Sequence, residues 1–200
     1  MRISAILLTA GLSSRMEGEN KMLLPLADST VVQKTYEQLL ASEVSEVVVV
    51  TGRESDSVQL RIKNYDSDKT RLVYNPNYEK GLTTSIQVGL RAIKNADAVM
   101  ICLGDMPIVR AEDYRLLMES FANQNEYSIQ VPFYQGQKGN PVIFGEQHFE
   151  EILNHSEMNG CSGIVQKNSD RVYRIEVSSN RFIQDIDTPN DYQRLLQSFK

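Results

Sequence analysis

The stretch ISAILLTAGLSSRMEGENKMLLPL, residues 3–26, decides the fold class. Its apolar start ends at Thr9-Ala10-Gly11, a polar turn with Arg15 and Lys21 follows, and the chain becomes apolar again from Met22. This order predicts a strand, an anion-binding turn and a return to the core. A strand that ends in glycine leaves backbone N–H groups free at its carboxyl end, the ligand-binding edge of a parallel sheet. Two cations on the turn favour a negatively charged ligand, polyphosphate first, although a surface turn with two solvated cations fits the spacing equally well.

The composition is that of an ordinary globular chain. It has 200 residues, 41% hydrophobic and 24% charged, which we interpret as one domain over residues 1–200. No stretch approaches the ~20 apolar residues of a membrane span, and Met1 leads straight into a strand, so we expect a cytoplasmic protein without a membrane partner. The net charge of -5 argues against a nucleic-acid partner. Cys102 and Cys161 form no C-x-x-C, so neither a disulfide framework nor a zinc site is indicated.

Strand and helix patterns alternate along the chain. The β-branched run from Val44 to Val50 is typical of a strand buried on both faces of a parallel sheet, and Thr30 with Gln33 has the form of a capping box that opens a helix. Further strands are predicted at 72–74, 98–103, 128–132, 141–144, 172–177 and 182–186, and further helices at 58–65, 84–93, 111–121, 149–153 and from Thr188 as N-cap. The alternation predicts an α/β fold, a single-domain, Rossmann-like, doubly wound sheet that is mostly parallel, with helices on both faces.

Polar, glycine-containing or acidic residues follow several of these strands. They are Thr9-Ala10-Gly11, Thr51-Gly52, Asn75-Pro76, Gly104-Asp105 and Asp185-Ile186-Asp187. Asp105 comes directly after a buried strand, where an unpaired carboxylate is costly, and a metal ion or a cationic partner would remove that cost. The alternative is that Asp105 only caps a turn or helix through local hydrogen bonds.

Six segments in this order resemble the molybdenum cofactor cytidylyltransferase family, within the MobA-like superfamily of nucleotidyltransferases. They cover most of the chain, which makes the match specific, whereas any one of them alone would be weak. The segments are LTAGLSSRMEGENKMLLPL at 8–26, VVVVTG at 47–52, NPNYEKGLTTSIQVGL at 75–90, LGDMPIV at 103–109, VPFYQGQKGNPVIF at 131–144 and DIDTPNDY at 185–192. The resemblance implies the nucleotide-diphospho-sugar transferase type of fold.

The resemblance also implies an activity, the transfer of CMP from CTP to a phosphorylated acceptor with release of pyrophosphate. In that family the acceptor is molybdopterin, and a molybdoenzyme of the xanthine dehydrogenase type or its chaperone is an implied partner. The cofactor that the resemblance implies is Mg²⁺, a hard ion that suits oxygen ligands, and its ligands would be Asp105 and Asp187. No general base is required, because a phosphate monoester is mostly dianionic at pH 7.

The roles of the other residues follow from the same match. The catalytic set is Arg15, Lys21, Asp105 and Asp187, with the two cations holding the triphosphate. Gly81 and Ser85 would read the edge of cytosine, and Gly139-Asn140-Pro141 would contact the acceptor. The nucleotide-binding set is Leu8, Thr9, Ala10, Gly11, Leu12, Arg15, Lys21, Thr51, Gly52, Asn75, Gly81, Ser85 and Gly104.

Two positions bear on the substrates. Related guanylyltransferases carry glycine where this chain has Ala10, whereas the cytidylyl branch carries alanine, so the base is expected to be cytosine. The segment Glu157 to Ser162, EMNGCS, stands where the family has G-D-x-G-A-R and keeps only Gly160 of that motif. This difference leaves the identity of the acceptor open.

Three other functions compete with this interpretation. A guanylyltransferase or a sugar- or alcohol-phosphate nucleotidyltransferase would share the first turn and the carboxylates. A non-catalytic nucleotide-binding accessory protein for molybdoenzyme maturation would keep Lys21 but would need neither Asp105 nor Asp187. A nicotinamide-binding domain and a P-loop NTPase are disfavoured, because the chain contains neither G-x-G-x-x-G nor G-x-x-x-x-G-K-[ST].

Overall fold

The computed structural model describes residues 1–63 and 68–198. Five short 3-10 turns accompany the regular elements, at 21–23, 78–80, 146–148, 169–171 and 180–183. The strands are β1 (Ile3–Leu8), β2 (Pro25–Leu26), β3 (Ser29–Thr30), β4 (Val47–Thr51), β5 (Thr70–Tyr74), β6 (Ala98–Leu103), β7 (Ile129–Tyr134), β8 (Gln137–Lys138), β9 (Val142–Gly145) and β10 (Val172–Glu176). The helices are α1 (Val31–Leu40), α2 (Ser55–Lys63), α3 (Leu82–Ala92), α4 (Ala111–Ala122), α5 (Phe149–Asn154), α6 (Ser162–Lys167) and α7 (Pro189–Ser198).

One eight-stranded sheet organises the molecule, in the order β10-β7-β9-β6-β1-β4-β5, with β8 paired to β7. Strand β1 lies in the interior of the sheet and runs parallel to both of its neighbours, β4 and β6. Leu8 is opposite Val50 on one side and Leu103 on the other, so these three strands end at the same level. The turns that follow them therefore meet at one edge of the sheet, as expected for a doubly wound fold.

Both faces of the sheet are covered, because alternate residues of each buried strand point to opposite sides. Ala5 and Leu7 pack in a buried cluster with residues of α1, α2 and α4. Ile6 and Leu8 pack in a second cluster with residues of α3, α5 and α6. The prediction of helices on both faces of a mostly parallel sheet is confirmed.

A third cluster joins the N-terminal turn to the C-terminal helix. Met16, Leu24, Leu26, Val31 and Ile186 are buried together, with side chains of α7 packed against them. The Tyr192 hydroxyl of α7 also donates a hydrogen bond to the carbonyl oxygen of Pro25. This packing brings residues 185–187 against the turn that carries Arg15 and Lys21.

The predicted strand at 182–186 is wrong. Residues Asn180–Ile183 form a 3-10 turn, and no strand of the described chain includes 184–186. Phe182 and Ile186 are both buried, but they pack in two different hydrophobic clusters. The apolar pattern therefore reflected packing at the edge of the sheet and not pairing with a strand.

Other differences concern local detail. The capping box does not form, because the Thr30 hydroxyl donates to Oε1 of Gln33 at 2.8 Å instead of accepting from the backbone. Strand β9 runs antiparallel to both of its neighbours, which makes the sheet mixed. Helix α6, strand β8 and the β2-β3 hairpin were not predicted, and residues 64–65 of the predicted helix at 58–65 lie outside the described chain. None of the described helices combines the length and the apolar character needed to cross a membrane.

Candidate active site

The turn after β1 is fixed at its start and open beyond it. The backbone N–H and the hydroxyl of Thr9 both donate to the carbonyl oxygen of Val50, at 2.9 and 2.8 Å. Within the described residues, the backbone N–H groups of Ala10, Gly11 and Leu12 donate no hydrogen bond. A Cβ added to Gly11 would meet no atom within 4 Å. The turn thus offers free donors and an open approach, which is the arrangement that binds phosphate oxygens.

Lys21 connects two carboxylates that are 82 residues apart in the chain. Its Nζ forms ion pairs with Oδ2 of Asp105 and, at 2.9 Å, with Oδ1 of Asp187. Nη2 of Arg15 lies 2.9 Å from Oδ2 of Asp187. The side chains of Lys21 and Asp105 are only 12% and 8% exposed, whereas that of Arg15 is 67% exposed. The buried pair is therefore weakly screened by solvent, and Arg15 is free to move toward a ligand.

A third carboxylate, that of Asp185, belongs to the same group. One oxygen from each of Asp105, Asp185 and Asp187 lies within 4.8 Å of the others, and Oδ1 of Asp105 is buried with no hydrogen-bond partner in the described chain. Burial raises the pKa of Asp105, against the opposing attraction of Lys21. The pKa of Asp185 is also raised, first by burial and then by the two neighbouring carboxylates. Burial lowers the pKa of Lys21, but the attraction of the carboxylates outweighs it and leaves the value above its usual range.

A cavity of about 240 Å³, called here the smaller cavity, opens beside this ion network. It lies between the β1 turn and the start of α3. Eight residues predicted from the sequence to bind nucleotide or metal line it: Leu8, Ala10, Gly11, Leu12, Lys21, Gly81, Ser85 and Asp105.

Ser85 is held in this cavity by a neighbour from another strand end. Nδ2 of Asn75 donates to the hydroxyl oxygens of Ser85 and Thr84, both at 2.9 Å, and Oδ1 of Asn75 accepts from the backbone N–H of Asn77. Because the Ser85 oxygen already accepts a bond, its hydroxyl hydrogen is available to a ligand. Asn75 itself is fully buried and does not line the cavity, so it positions Ser85.

Residues 5–172 match the family described as "MobA-like NTP transferase domain". The chain belongs to this family of nucleotidyltransferases. It is 26% identical over 190 residues to the molybdenum cofactor cytidylyltransferase of Escherichia coli (strain K12), a match that covers 95% of this chain and 93% of that protein. The fold is that of the nucleotide-diphospho-sugar transferases.

Two solved structures share the fold over almost the whole of both chains. The crystal structure of Rv0371c from Mycobacterium tuberculosis H37Rv aligns with a TM-score of 0.84 at 25% identity, covering 98% of each chain. A structure of Rv0371C in complex with manganese, from the same organism, aligns with a TM-score of 0.73 at 23% identity, covering 99% of this chain and 100% of that one.

Several predicted nucleotide-binding residues of this MobA-like chain lie behind the smaller cavity. The Thr51 hydroxyl lies 2.7 Å from the Ser55 hydroxyl and 3.2 Å from the Val73 carbonyl oxygen, so its hydrogen bonds link β4 to β5 and to α2. A Cβ on Gly52 would lie 2.8 Å from that of Ala10, and one on Gly104 would lie 2.9 Å from the carbonyl oxygen of Leu8. Together with Thr9, these residues hold the strand ends close together and do not line the cavity.

The predicted acceptor-binding residues lie beside the end of β6. Strand β9 pairs with β6 up to Val142 opposite Ile101, so Gly139-Asn140-Pro141 continues alongside the last residues of β6. The backbone N–H of Asn140 donates to the carbonyl oxygen of Phe182 at 2.8 Å, and the Asn140–Pro141 peptide is cis. None of the three residues lines the smaller cavity.

Two residues at this edge of the MobA-like fold were given no role by the sequence reasoning, although Asp185 was noted among the acidic residues after strands. Nη1 of Arg53 donates to the carbonyl oxygen of Leu12 at 2.6 Å and Nη2 donates to that of Gly18, so Arg53 holds the turn from the end of β4. Asp185 adds the third carboxylate. Arg53 follows Thr51-Gly52 directly, and the D-I-D spacing of an extended segment places alternate side chains on one side. Both signals were present in the sequence.

Proposed function

We propose that the protein transfers CMP from CTP to molybdopterin and releases pyrophosphate. The proposal rests on the ion pairs that Lys21 forms with Asp105 and Asp187. Lys21 and Asp105 line the smaller cavity, and Ser85 lines the same cavity. A nucleoside in this cavity would have its phosphates beside both cations and carboxylates. The named activity of the Escherichia coli relative supports the choice of CTP and the molybdenum cofactor.

Asp105, Asp185 and Asp187 fit a divalent cation, and we propose that this is Mg²⁺. The fit rests on the unpartnered, buried Oδ1 of Asp105 and on the all-oxygen donor set. The manganese complex of Rv0371C is consistent with a divalent ion on this fold. When bound, the ion would supply Lewis-acid charge that offsets the negative charge of the phosphates.

The side chains of this chain have complementary roles in the transfer. Arg15 and Lys21 would hold the triphosphate and stabilise the charge that builds up on the leaving pyrophosphate. The free N–H groups from Ala10 to Leu12 would donate to the phosphate oxygens. No side chain is required to remove a proton, because the acceptor phosphate is already ionised near neutral pH. A molybdoenzyme is the expected recipient of the product.

Nucleotide choice would be set in the smaller cavity. Ala10 is buried and lies against Gly52, which leaves less room beside the base than glycine would. Ser85 would donate its hydroxyl hydrogen to an acceptor on the pyrimidine edge, such as the cytosine carbonyl oxygen. Of the two features, the methyl group of Ala10 is the one that favours the smaller cytosine over guanine.

The test is turnover with defined substrates. Purified protein with Mg²⁺ is given CTP or GTP together with molybdopterin, 2-C-methylerythritol 4-phosphate or glucose 1-phosphate, and pyrophosphate release and product mass are measured. We expect release only with molybdopterin, at least tenfold faster with CTP than with GTP. The Lys21→Ala variant should be inactive, whereas Lys167→Ala, which removes a remote surface cation, should match the wild type. Faster turnover of a sugar or alcohol phosphate, or of GTP, would overturn the proposal.

A further inference from the structure

Two of the proposed metal ligands, Asp105 and Asp187, are already paired with cations of this chain. Oδ1 of Asp187 accepts a hydrogen bond from Nζ of Lys21 at 2.9 Å, and Oδ2 of Asp187 lies 2.9 Å from Nη2 of Arg15. Oδ2 of Asp105 is also paired with Nζ of Lys21, which leaves Oδ1 of Asp105 without a partner among the described residues. Three of the four oxygens of these two carboxylates are therefore used by cations.

The same cations oppose a divalent ion at this site. A metal ion bound to either oxygen of Asp187 would share that oxygen with an ammonium or a guanidinium group. Like charges at such short range repel each other, and the repulsion is stronger where solvent is excluded. The pairing thus neutralises the carboxylates and at the same time weakens their affinity for a metal ion.

The two cations differ in how firmly they are held. The Arg15 side chain is 67% exposed, and an exposed ion pair contributes little to stability, so Arg15 can leave Asp187 at low cost. The Lys21 side chain is buried, and its departure would leave the buried Asp105 without a counter-ion. Lys21 therefore controls access to the carboxylates, and it leaves favourably only when another positive charge replaces it.

The Lys21 side chain can move while the backbone stays in place. The backbone N–H of Lys21 donates to Oγ of Ser13 at 3.2 Å, and Oδ1 of Asn20 caps the 3-10 turn at 21–23 by accepting from the backbone N–H of Met22. The ammonium, by contrast, is carried on a flexible four-carbon stem. Lys21 also lines the smaller cavity, next to the turn whose free N–H groups are proposed to bind the triphosphate. Rotation of the side chain alone is therefore sufficient to exchange carboxylates for phosphates.

We infer that Lys21 blocks the metal site until its ammonium turns to a bound triphosphate, so that the divalent ion and the nucleotide bind cooperatively. The inference rests on the metal and triphosphate sites of the proposed function. Lys21 repels a metal ion that arrives alone, and Asp105 is left unpaired by a nucleotide that arrives alone. When both ligands are present, Lys21 pairs with the phosphates and the carboxylates are free for the metal ion. Each ligand must then raise the affinity for the other.

The direct test measures the binding of Mn²⁺ alone, without nucleotide, from the electron paramagnetic resonance signal of the free ion. We expect Lys21→Met to bind Mn²⁺ about tenfold more tightly than the wild type, or more. Lys34→Met is the matched control, because Lys34 lines a cavity together with Asp185 and Asp187 but is paired with Glu37. This variant removes the same charge near the site and should bind Mn²⁺ within about twofold of the wild type.

Three further measurements define the cause of the gain. The gain in Lys21→Met should persist in concentrated KCl, which screens long-range charge effects but not a contact between buried groups. It should disappear in Lys21→Met/Asp187→Asn, which shows that the ion binds at this site. Arg15→Met removes an exposed side chain that the fold does not require, and it should give a smaller gain of about threefold. Circular dichroism and thermal unfolding verify that each variant is folded, and Arg15→Met keeps the test decisive if Lys21→Met does not fold.

Two results would overturn the inference. One is Mn²⁺ binding by Lys21→Met, or by Arg15→Met if only that variant folds, that is no tighter than that of the wild type. The other is an equal gain in Lys34→Met. Turnover separates this inference from the proposed function. If the wild type cytidylates molybdopterin but Lys21→Met shows no gain, the block is wrong and the activity stands. If the gain is present but the wild type does not cytidylate molybdopterin, the block stands and the proposed function is wrong.

Discussion

At the scale of single residues, Lys21 combines a structural role with the proposed catalytic one. Its ammonium is the counter-ion of the buried Asp105, and it also lies where the nucleotide phosphates are expected. Removing one partner of a buried ion pair leaves an uncompensated charge, which typically costs 3–5 kcal/mol. The expectation that a cation on a polar turn only binds the ligand is therefore incomplete for Lys21.

We predict that Lys21→Met lowers kcat by about 100-fold or more and also lowers Tm. The rate falls because a preorganised cation at the developing negative charge is lost, and Tm falls because Asp105 is left unpaired. In the Lys21→Met/Asp105→Asn variant, Tm should recover while activity stays absent. Steady-state kinetics and thermal unfolding check both parts, and wild-type turnover in Lys21→Met would show that this residue does not contact the triphosphate.

Ala10 is a second single residue with a testable role, the choice between CTP and GTP. We predict that Ala10→Gly shifts the ratio of kcat/KM for CTP over GTP by about tenfold toward GTP, since one methyl group in a pocket is worth about 1–3 kcal/mol. The Ala10 methyl group lies between the smaller cavity and Gly52, so its removal would enlarge the space beside the base. Competition kinetics with both nucleotides measures the ratio. An unchanged ratio would assign base choice to Ser85 and its neighbours.

At the scale of elements, the neighbouring turns after β1 and β6 carry glycines with different purposes. Gly11 faces open space, whereas Gly104, in the adjacent turn after β6, lies against the backbone of β1. A ligand can approach the backbone at Gly11. At Gly104 the absence of a side chain allows the ends of β1 and β6 to come close together. The sequence alone presents both simply as glycines at strand ends.

We predict that Gly11→Ala leaves Tm within about 1 °C of the wild type but raises the KM for CTP at least tenfold, because the new methyl group meets only ligand. The matched control, Gly104→Ala, should instead lower Tm, since its methyl group would lie 2.9 Å from the carbonyl oxygen of Leu8. Differential scanning fluorimetry and CTP titration distinguish the two. A wild-type KM in Gly11→Ala would show that phosphate does not approach the turn there.

At the scale of the whole molecule, the site joins distant parts of the chain. Asp105 follows the central strand β6, whereas Asp187 precedes α7 and is brought there by the buried cluster of Met16, Leu24 and Ile186. A ligand that binds both carboxylates only in the folded state must stabilise the fold through mass action.

We predict that saturating Mg²⁺ and CTP raise the Tm of the wild type by several degrees, and that Asp105→Asn and Asp187→Asn abolish this increase. Without metal, both variants should be as stable as the wild type or more stable, because three crowded carboxylates become two. Lys21 is not left unpaired in either variant, since it keeps Asp187 when Asp105 is changed and Asp105 when Asp187 is changed. Asp170→Asn, which changes an exposed carboxylate, is the control and should respond like the wild type. A normal metal-dependent shift in both variants would leave the two residues with only a capping role.

The sequence by itself determined the fold class and the strand ends at which the polar residues lie. The runs at 3–8, 47–50 and 98–103 are apolar without alternation, and that pattern requires a sheet buried on both faces. Cationic and acidic residues directly after such strands must then meet at one edge. The strand ends therefore bring Lys21 and Asp105 to one edge of the sheet, but the direct ion pair between them was not predicted.

Only the tertiary structure decided which of these residues line a cavity and which support it. Thr51 and Asn75 were predicted to bind nucleotide, as was Ser85, but their side chains form hydrogen bonds with β5 and α3. The segment 182–186 looked like a strand because its apolar residues serve two separate clusters. A side chain's hydrogen-bond partners and the spaces between helices depend on packing between segments far apart in the chain, and local sequence does not encode them.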